Sequence, residues 1–315
     1  MGWFSGRCYS DAKLNGKTII VTGCNTGIGK VTVEEFYKRG AKVIMACRDV
    51  GKAGEAKIDI KETCKNSPNK GELIVEECDL SSFKSIRKFS QKILKSKTEI
   101  NVLVNNAGVM MAPRGETEDG FETHFGTNHL GHFLLTMLLL PRIIKSTPAR
   151  IVTVSSKAHS LFNLHLEDLN YTLRPYNSAE AYAQSKIANI LFSRELSKKL
   201  KSYNIQGINT YSLHPGLIKT DLYRHLNSPI RSLIRTIVVD YIFYPFSKTI
   251  EMGAQTTVYC AIDEKCSNET GLYYTDCAVT SPSTHALNDE NAKKLWDMSM
   301  EMVGLKDFNL FTSVY

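Results

Sequence analysis

Six short runs of apolar, β-branched residues recur along the chain with helix-patterned stretches between them, and this alternation constrains its fold more than any other feature. The runs are Thr18 to Thr22, Lys42 to Cys47, Glu72 to Cys78, Asn101 to Val104, Ile151 to Ser155 and Gln206 to Ser212. Strands that alternate with helices build a parallel sheet covered on both faces, because each return to the same sheet edge takes a crossover of helix length. Ile19-Ile20-Val21 and Val102-Leu103-Val104 are apolar without alternation, which predicts two central strands buried on both sides. Gly27 to Arg39, stopped by Gly40, Ser81 to Lys97, opened by serines, and Ser178 to Lys201 read as helices. No repeat, low-complexity tract or linker breaks the pattern. The expectation is therefore an α/β fold, one doubly wound domain over residues 1–315 with a tail over 1–16, a length that α/β domains reach as single units.

With 43% hydrophobic and 23% charged residues the chain is composed like a folded globular protein, not a disordered or collagen-like one. No stretch reaches the roughly 18 apolar residues of a membrane span; the best run, Phe133 to Leu140, has Thr136 inside it. Met1 to Asp11 lacks the apolar run of a signal peptide, and Gly6 stands where a myristoylation motif takes Ser or Thr, so a location on the cytosolic side is expected. The 8 cysteines show no Cys-x-x-Cys pair and no zinc spacing with histidine, which predicts reduced, mostly buried thiols and no metal. A net charge of +7 spread along the chain argues against nucleic acid and suits an anionic cofactor or an anionic membrane surface.

Between the first strand and the first helix lies Thr22-Gly23-Cys24-Asn25-Thr26-Gly27-Ile28-Gly29. Glycines there permit a tight turn and close approach of the backbone, and the following helix offers free N–H groups and a positive dipole end to a pyrophosphate. The spacing differs from the usual G-x-G-x-x-G, but its place after a buried strand points to a nucleotide. At the end of the second strand, where a carboxylate would hold the ribose hydroxyls of NAD, stands Ala46-Cys47-Arg48. A guanidinium at Arg48 can pair with the 2′-phosphate of NADP, so NADP(H) is expected over NAD, with Asp49 as the neighbour that could neutralise it.

Tyr182-Ala183-Gln184-Ser185-Lys186 sets a phenol and an ammonium four residues apart, on one face of the helix expected there. A nearby cation favours the phenolate, which turns a poor acid-base group into one suited to moving a proton to or from an alcohol. Tyr9/Lys13 and Tyr244/Lys248 share the spacing, but Tyr9 falls in the tail and Tyr244 precedes Pro245. Only Tyr182 lies within a long helix, after a strand ending in Ser155-Ser156 at the sheet edge where α/β ligands bind.

In chain order, TGCNTGIG at 22–29, ACRD at 46–49, CDL at 78–80, NNAG at 105–108, TNHLGHF at 127–133, VSS at 154–156, YAQSK at 182–186 and HPGLIKT at 214–220 resemble the short-chain dehydrogenase/reductase superfamily. Within it the chain resembles the retinol dehydrogenase group, over roughly residues 17–294. The 26 residues from Ser156 to Tyr182 exceed the superfamily's usual spacing, and the insert with Leu166-Glu167-Asp168-Leu169-Asn170 is itself similar to that group. The resemblance implies a Rossmann-type domain and a catalytic tetrad of Asn128, Ser156, Tyr182 and Lys186. Tyr182 would be the general acid or base, Ser156 would orient the substrate oxygen, Lys186 would tune the tyrosine and hold the ribose, and Asn128 would support a proton-relay water. Gly23, Asn25, Thr26, Gly27, Ile28, Gly29 and Arg48 would hold the phosphates. Asp79 and Leu80 would hold the adenine, and Asn106, Ala107 and Gly108 would line the adenosine side. Tyr182 and Lys186 would also touch the cofactor, with Pro215, Gly216, Ile218 and Thr220 toward the nicotinamide. His129 and His132 read as core histidines, and Phe133 to Leu140 as core or a subunit interface, which leaves a homodimer open.

Ile230, Leu233, Ile234, Ile237, Val238, Tyr241 and Ile242 recur at helical spacing. This amphipathic stretch, within a lid segment expected at about 217–246, reads as packed on the sheet, as a substrate lid, or as an interfacial membrane contact. With Trp3-Phe4 it admits peripheral binding to the endoplasmic reticulum or another membrane. The function expected is NADP(H)-dependent hydride transfer on an apolar aldehyde or alcohol, first of all retinal and retinol. Steroid, isoprenoid and lipid-derived carbonyls are the alternatives. The contrasting class, a catalytically silent cofactor-binding sensor or scaffold, is opposed by the intactness of all four tetrad positions.

Overall fold

The structure is a computed structural model that describes residues 6–216, 248–308 and 311. Its centre is an eight-stranded sheet: β1 (Thr18–Thr22), β2 (Lys42–Cys47), β3 (Glu72–Glu77), β4 (Val102–Asn105), β5 (Ala149–Val154), β6 (Ile208–His214), β7 (Leu272–Thr275) and β8 (Ala278–Val279). The spatial order is β3-β2-β1-β4-β5-β6-β7-β8. Every neighbouring pair is parallel except β7 with β8, which turn back on each other. β1 and β4 lie at the middle, as their unbroken apolarity requires: Ile19, Ile20, Leu103 and Val104 have no solvent exposure.

Seven helices among the described residues cover the two faces: α1 (Gly27–Lys38), α2 (Val50–Thr63), α3 (Phe83–Lys95), α4 (Gly131–Ile144), α5 (Ser178–Ser202), α6 (Ile250–Ile262) and α7 (Asp289–Met302). One apolar core joins residues of α1, α2 and α6 to one face of the sheet, through Val33, Phe36, Ala53 and Val258. A second joins α3, α4, α5 and α7 to the other, through Ile86, Phe133, Leu191 and Trp296. α4 is apolar all round its second half because it is enclosed; Leu134, Leu135, Met137, Leu139 and Leu140 are fully buried. The core reading of that run is the one realised.

Caps set the helix starts. The carboxylate of Asp49 accepts the Lys52 N–H at 3.0 Å, Ser82 accepts from Ser85, and Asn177 accepts from Ala179 and Glu180. Thr26 makes no such capping bond, and no side chain among the described residues claims the N–H groups at the start of α1. Residues 6–16 lie against the body: the Cys8 N–H donates to Gln255 Oε1 at 3.1 Å, and Leu14 is buried. Among the described residues no helix is long and apolar enough to cross a membrane. The amphipathic stretch at 230–242 and the rest of the expected lid, with Ile218 and Thr220, lie outside the described residues.

Candidate active site

The strand order reverses direction between β1 and β4, and at such a point the turns that leave two adjacent strands diverge and open a crevice at their carboxyl ends. The glycine-rich turn leaves β1 there, and Asn105-Asn106-Ala107-Gly108 leaves β4. Asn106 stitches them together, its Nδ2 donating to Thr22 O at 2.9 Å and Gly23 O at 3.1 Å. The packing demands glycine. Gly23 takes a left-handed φ of 60°, and a Cβ on it would stand 2.7 Å from Ala107 Cα. A Cβ on Gly29 would sit 2.5 Å from Asn106 Nδ2. A bare turn, an uncapped helix start and no acidic residue in the first turn of α1 fit a pyrophosphate group.

The edge of this cradle carries Arg48. It is exposed and makes no hydrogen bond or ion pair among the described residues, while the Asp49 carboxylate is turned onto the start of α2, to Lys52 N and, at 3.6 Å, Lys52 Nζ. The neighbour that could have neutralised Arg48 is engaged elsewhere. Asp79 follows β3, its Oδ1 accepting from Ser81 N at 2.9 Å and Ser81 Oγ at 2.6 Å. Leu80 is buried against the start of α4, close enough that a Cβ on Gly131 would lie 2.4 Å from its carbonyl oxygen.

The catalytic candidates come from three elements. A single π-helical turn, Phe125–Leu130, leads into α4 and carries Asn128, whose Oδ1 accepts the Val109 N–H at 2.8 Å while Nδ2 donates to Val109 O at 3.0 Å. Tyr182 and Lys186 are buried one turn apart on α5, with Lys186 Nζ 5.6 Å from the centre of the Tyr182 ring. Above Gly108 the groups converge: a Cβ there would meet Asn128 Oδ1 at 3.3 Å and Lys186 Nζ at 3.4 Å. Lys186 Nζ donates to Val154 O at 3.1 Å, and burial lowers its pKa from 10.5 to about 8. Ser156 is the second residue beyond β5 and is partly exposed, its Oγ accepting the Ala158 N–H at 3.3 Å; Ser155, directly after the strand, faces the helix instead, donating to Lys186 O at 2.7 Å. Of the alternative pairs, Tyr9 stands 81% exposed and Tyr244 is outside the described residues. Pro215 and Gly216 end the described stretch after β6, Gly216 at a φ of 101° beside Lys248.

Three features of the site lay beyond the sequence reading. Ser185 links two candidates, accepting from Asn128 Nδ2 at 2.9 Å and donating to Tyr182 O at 2.7 Å. His132 is buried, as expected, yet it bridges the two halves of the cradle. Its Nδ1 meets a carbonyl, Asn128 O, at 2.9 Å and so carries the proton; its bare Nε2 then accepts from Thr22 Oγ1 at 2.8 Å. Thr22 Oγ1 in turn accepts the N–H groups of Asn106 and Ala107. Burial drives the His132 pKa down to about 4, which keeps this chain of bonds neutral and intact at pH 7. The third feature is His124, whose ring packs edge-on to Tyr182 with centroids 6.2 Å apart. Ala112 N–H donates to His124 Nε2, so Nδ1 donates to the buried carboxylate of Glu122 at 2.7 Å, which Tyr176 OH also approaches at 3.1 Å. None of these roles has a spacing that could reveal it; only adjacency to motif residues hinted at Ser185 and His132. A hollow of about 590 Å³ between α5 and α7, walled by Tyr203, Trp296, Met300 and Phe311, contains none of the site residues.

Residues 17–231 match the short chain dehydrogenase family. The chain is 45% identical over 301 residues to retinol dehydrogenase 12 of Homo sapiens, covering 96% of this chain and 90% of that protein. It is also 45% identical to retinol dehydrogenase 11 of Homo sapiens, with the same coverage. Among solved structures, an uncharacterised protein from Mycobacterium paratuberculosis superposes with a TM-score of 0.72 at 33% identity, over 95% of this chain and 98% of that one.

Proposed function

The chain belongs to the short-chain dehydrogenase family, and from that premise we propose that it is an NADPH-preferring reductase of apolar aldehydes, with retinal as the leading substrate. It is an oxidoreductase related to the retinol dehydrogenases, and its family binds a nicotinamide cofactor. The meeting of Asn128 and Lys186 above Gly108, with the Tyr182 ring beside Lys186, carries the reading, because it brings a polar support, a cation and a phenol together. The cradle of Gly23, Asn25, Thr26, Gly27, Ile28 and Gly29 fits the cofactor phosphates, and Arg48, without a partner among the described residues, supports NADP(H) over NAD. The cofactor supplies the hydride.

Tyr182 gives its phenolic proton to the carbonyl oxygen as the alcohol forms, and Ser156 donates a second hydrogen bond that fixes that oxygen. The Lys186 ammonium favours the phenolate left behind. Asn128, pinned by Val109 and Ser185, keeps the π-helical turn open beside Lys186 and supports the water through which the proton is replaced. Retinal is supported by the names of the 45% identical relatives, and an apolar substrate of that kind suits work at a membrane surface such as the endoplasmic reticulum.

The test is turnover of all-trans-retinal by wild-type protein with NADPH and with NADH, beside Tyr182→Phe and Arg48→Ala. Retinol should form with NADPH, fall about 100-fold or more in Tyr182→Phe, and lose its NADPH preference in Arg48→Ala. Equal rates with both cofactors in the wild type would overturn the cofactor assignment. Undiminished turnover in Tyr182→Phe would overturn the proton donor, and a wild type that binds NADPH without turning over any carbonyl would favour a scaffold.

A further inference from the structure

Two thiols lie beneath the proposed cofactor cradle and take no part in the reaction described above. Cys24, within the glycine-rich turn, and Cys47, the last residue of β2, bring their sulfur atoms to 3.7 Å. They are 0% and 2% exposed. The turn and the strand end are already tied side by side, since Gly23 N–H donates to Ala46 O at 2.9 Å. Each cysteine is followed directly by a residue assigned to the cofactor, Asn25 in one case and Arg48 in the other.

We propose that Cys24 and Cys47 form an oxidisable pair that a hydroperoxide closes to a disulfide, and that closure weakens cofactor binding. The effect on the cofactor rests on the reading of the cradle given under Proposed function; the disulfide itself does not.

The two thiols are unequal. The Cys24 thiol beside it, and then the N–H groups of Cys24 and Asn25, hold the Cys47 pKa below its ordinary value against the opposing effect of burial. Burial pushes Cys24 well up, and burial likewise raises Cys8, Cys64, Cys78, Cys260, Cys266 and Cys277. Cys47 is therefore the thiol that ionises most readily and attacks. Its thiolate attacks one oxygen of hydrogen peroxide, the O–O bond breaks, and the other oxygen leaves as hydroxide that takes up a proton to become water. The Cys24 sulfur then attacks the resulting sulfenic sulfur, the S–O bond breaks, and a second water departs with the Cys24 proton. Two thiols have lost two electrons and two protons, and one peroxide has become two waters.

Closure needs the sulfurs to approach to about 2.05 Å. Cys47 is held in the ladder with Glu77, and its carbonyl accepts the Cys78 N–H at 2.9 Å, so the strand resists movement. The turn between Gly23 and Gly27, both at left-handed φ, is the side able to give. Its shift draws Asn25 and Thr26 away from the position they hold at the start of α1.

The experiment exposes the full chain to hydrogen peroxide, alkylates the remaining thiols, and maps the digest by mass spectrometry, with NADPH affinity measured on the same samples by fluorescence. The expected result is a Cys24–Cys47 cross-linked peptide, a rise of about tenfold in the NADPH Kd, equivalent to about 1.4 kcal/mol, recovery with dithiothreitol, and slower cross-linking when NADPH is present. Cys24→Ala and Cys24→Ser should each keep their own NADPH affinity through the same treatment. Cys47 found unmodified or only as sulfinic acid, a cross-link that leaves the Kd unchanged, or equal loss of affinity in both variants would overturn the proposal. Failure of the untreated protein to bind NADPH would instead defeat the cofactor reading, while the cross-linked peptide would still decide the pairing.

Discussion

Lys186 is the residue at which the proposed function costs the fold most visibly. An amine whose pKa falls from 10.5 to about 8 on burial is charged in both states at pH 7, and holding that charge inside the protein is unfavourable by roughly 3 kcal/mol. The sign follows from proton counting. Between pH 8 and pH 10.5 the unfolded chain holds a proton that the folded chain has released, so stability rises with pH through that window. Lys186→Met should abolish turnover yet raise the melting temperature at pH 7, and the gain should shrink as the pH is raised toward 10. A melting temperature unchanged or lowered at pH 7 would show that the hydrogen bond to Val154 outweighs the buried charge. At this scale much of the candidate site was legible in the sequence, because Tyr182 and Lys186 share one face of a long helix that follows Ser155-Ser156, and Gly23 and Gly27 stand after a buried strand. His124, Ser185 and the bridging role of His132 were not legible, since each acts through a partner distant in the chain or through a tautomer that only three-dimensional neighbours determine.

At the scale of elements, the insert between β5 and α5 depends on one buried carboxylate. Asp168 accepts from the backbone N–H groups of Thr172, Leu173 and Arg174, and from Arg174 Nε at 3.2 Å. Burial raises its pKa, but the Thr172 and Leu173 N–H groups lead the opposing contacts and the net shift is downward. Arg174 also reaches Glu180 on the first turn of α5 at 2.6 Å and lies over the Tyr171 ring at 4.6 Å. Asp168→Ala strips the acceptor from these donors and should destabilise the protein by about 3 kcal/mol, as breaking a buried charge pair does. Urea titration checks this, and a loss below about 1 kcal/mol would mean that water satisfies the N–H groups. The alternation of apolar runs located β1 and β2 to the residue and the other four predicted strands within one or two. It missed β7 and β8, where Leu272–Thr275 is too short and too polar to stand out, and Ala278–Val279 is a strand only because β7 lies beside it.

For the whole molecule, neutral histidines set the acid limit, His129 and His132 buried and His214 half-buried. Burial lowers His129 to about 3 and His132 and His214 to about 4, against 6.5 in an unfolded chain. The unfolded state therefore takes up protons first as pH falls below 6.5, and each such histidine withdraws roughly 2 kcal/mol of stability between pH 7 and pH 5. Summed over three residues this rivals the net stability of a typical domain. The melting temperature should fall steeply between pH 6.5 and pH 4, and a flat profile over that range would contradict neutral histidines at these positions.

The strand order also has a consequence during synthesis. β1, made first, ends in the middle of the sheet, with β2 on one side and β4 on the other. As the chain leaves the ribosome, β1, β2 and β3 can pair at once, but the second edge of β1 stays open until residues 102–105 emerge. During that interval an apolar edge of Ile19, Ile20 and Val21 is offered to any other extended segment, the condition under which nascent chains stick to one another. The proposed cofactor cradle and the proposed proton donor are thus separated in time as well as in sequence, with α5 arriving only after the edge has been closed.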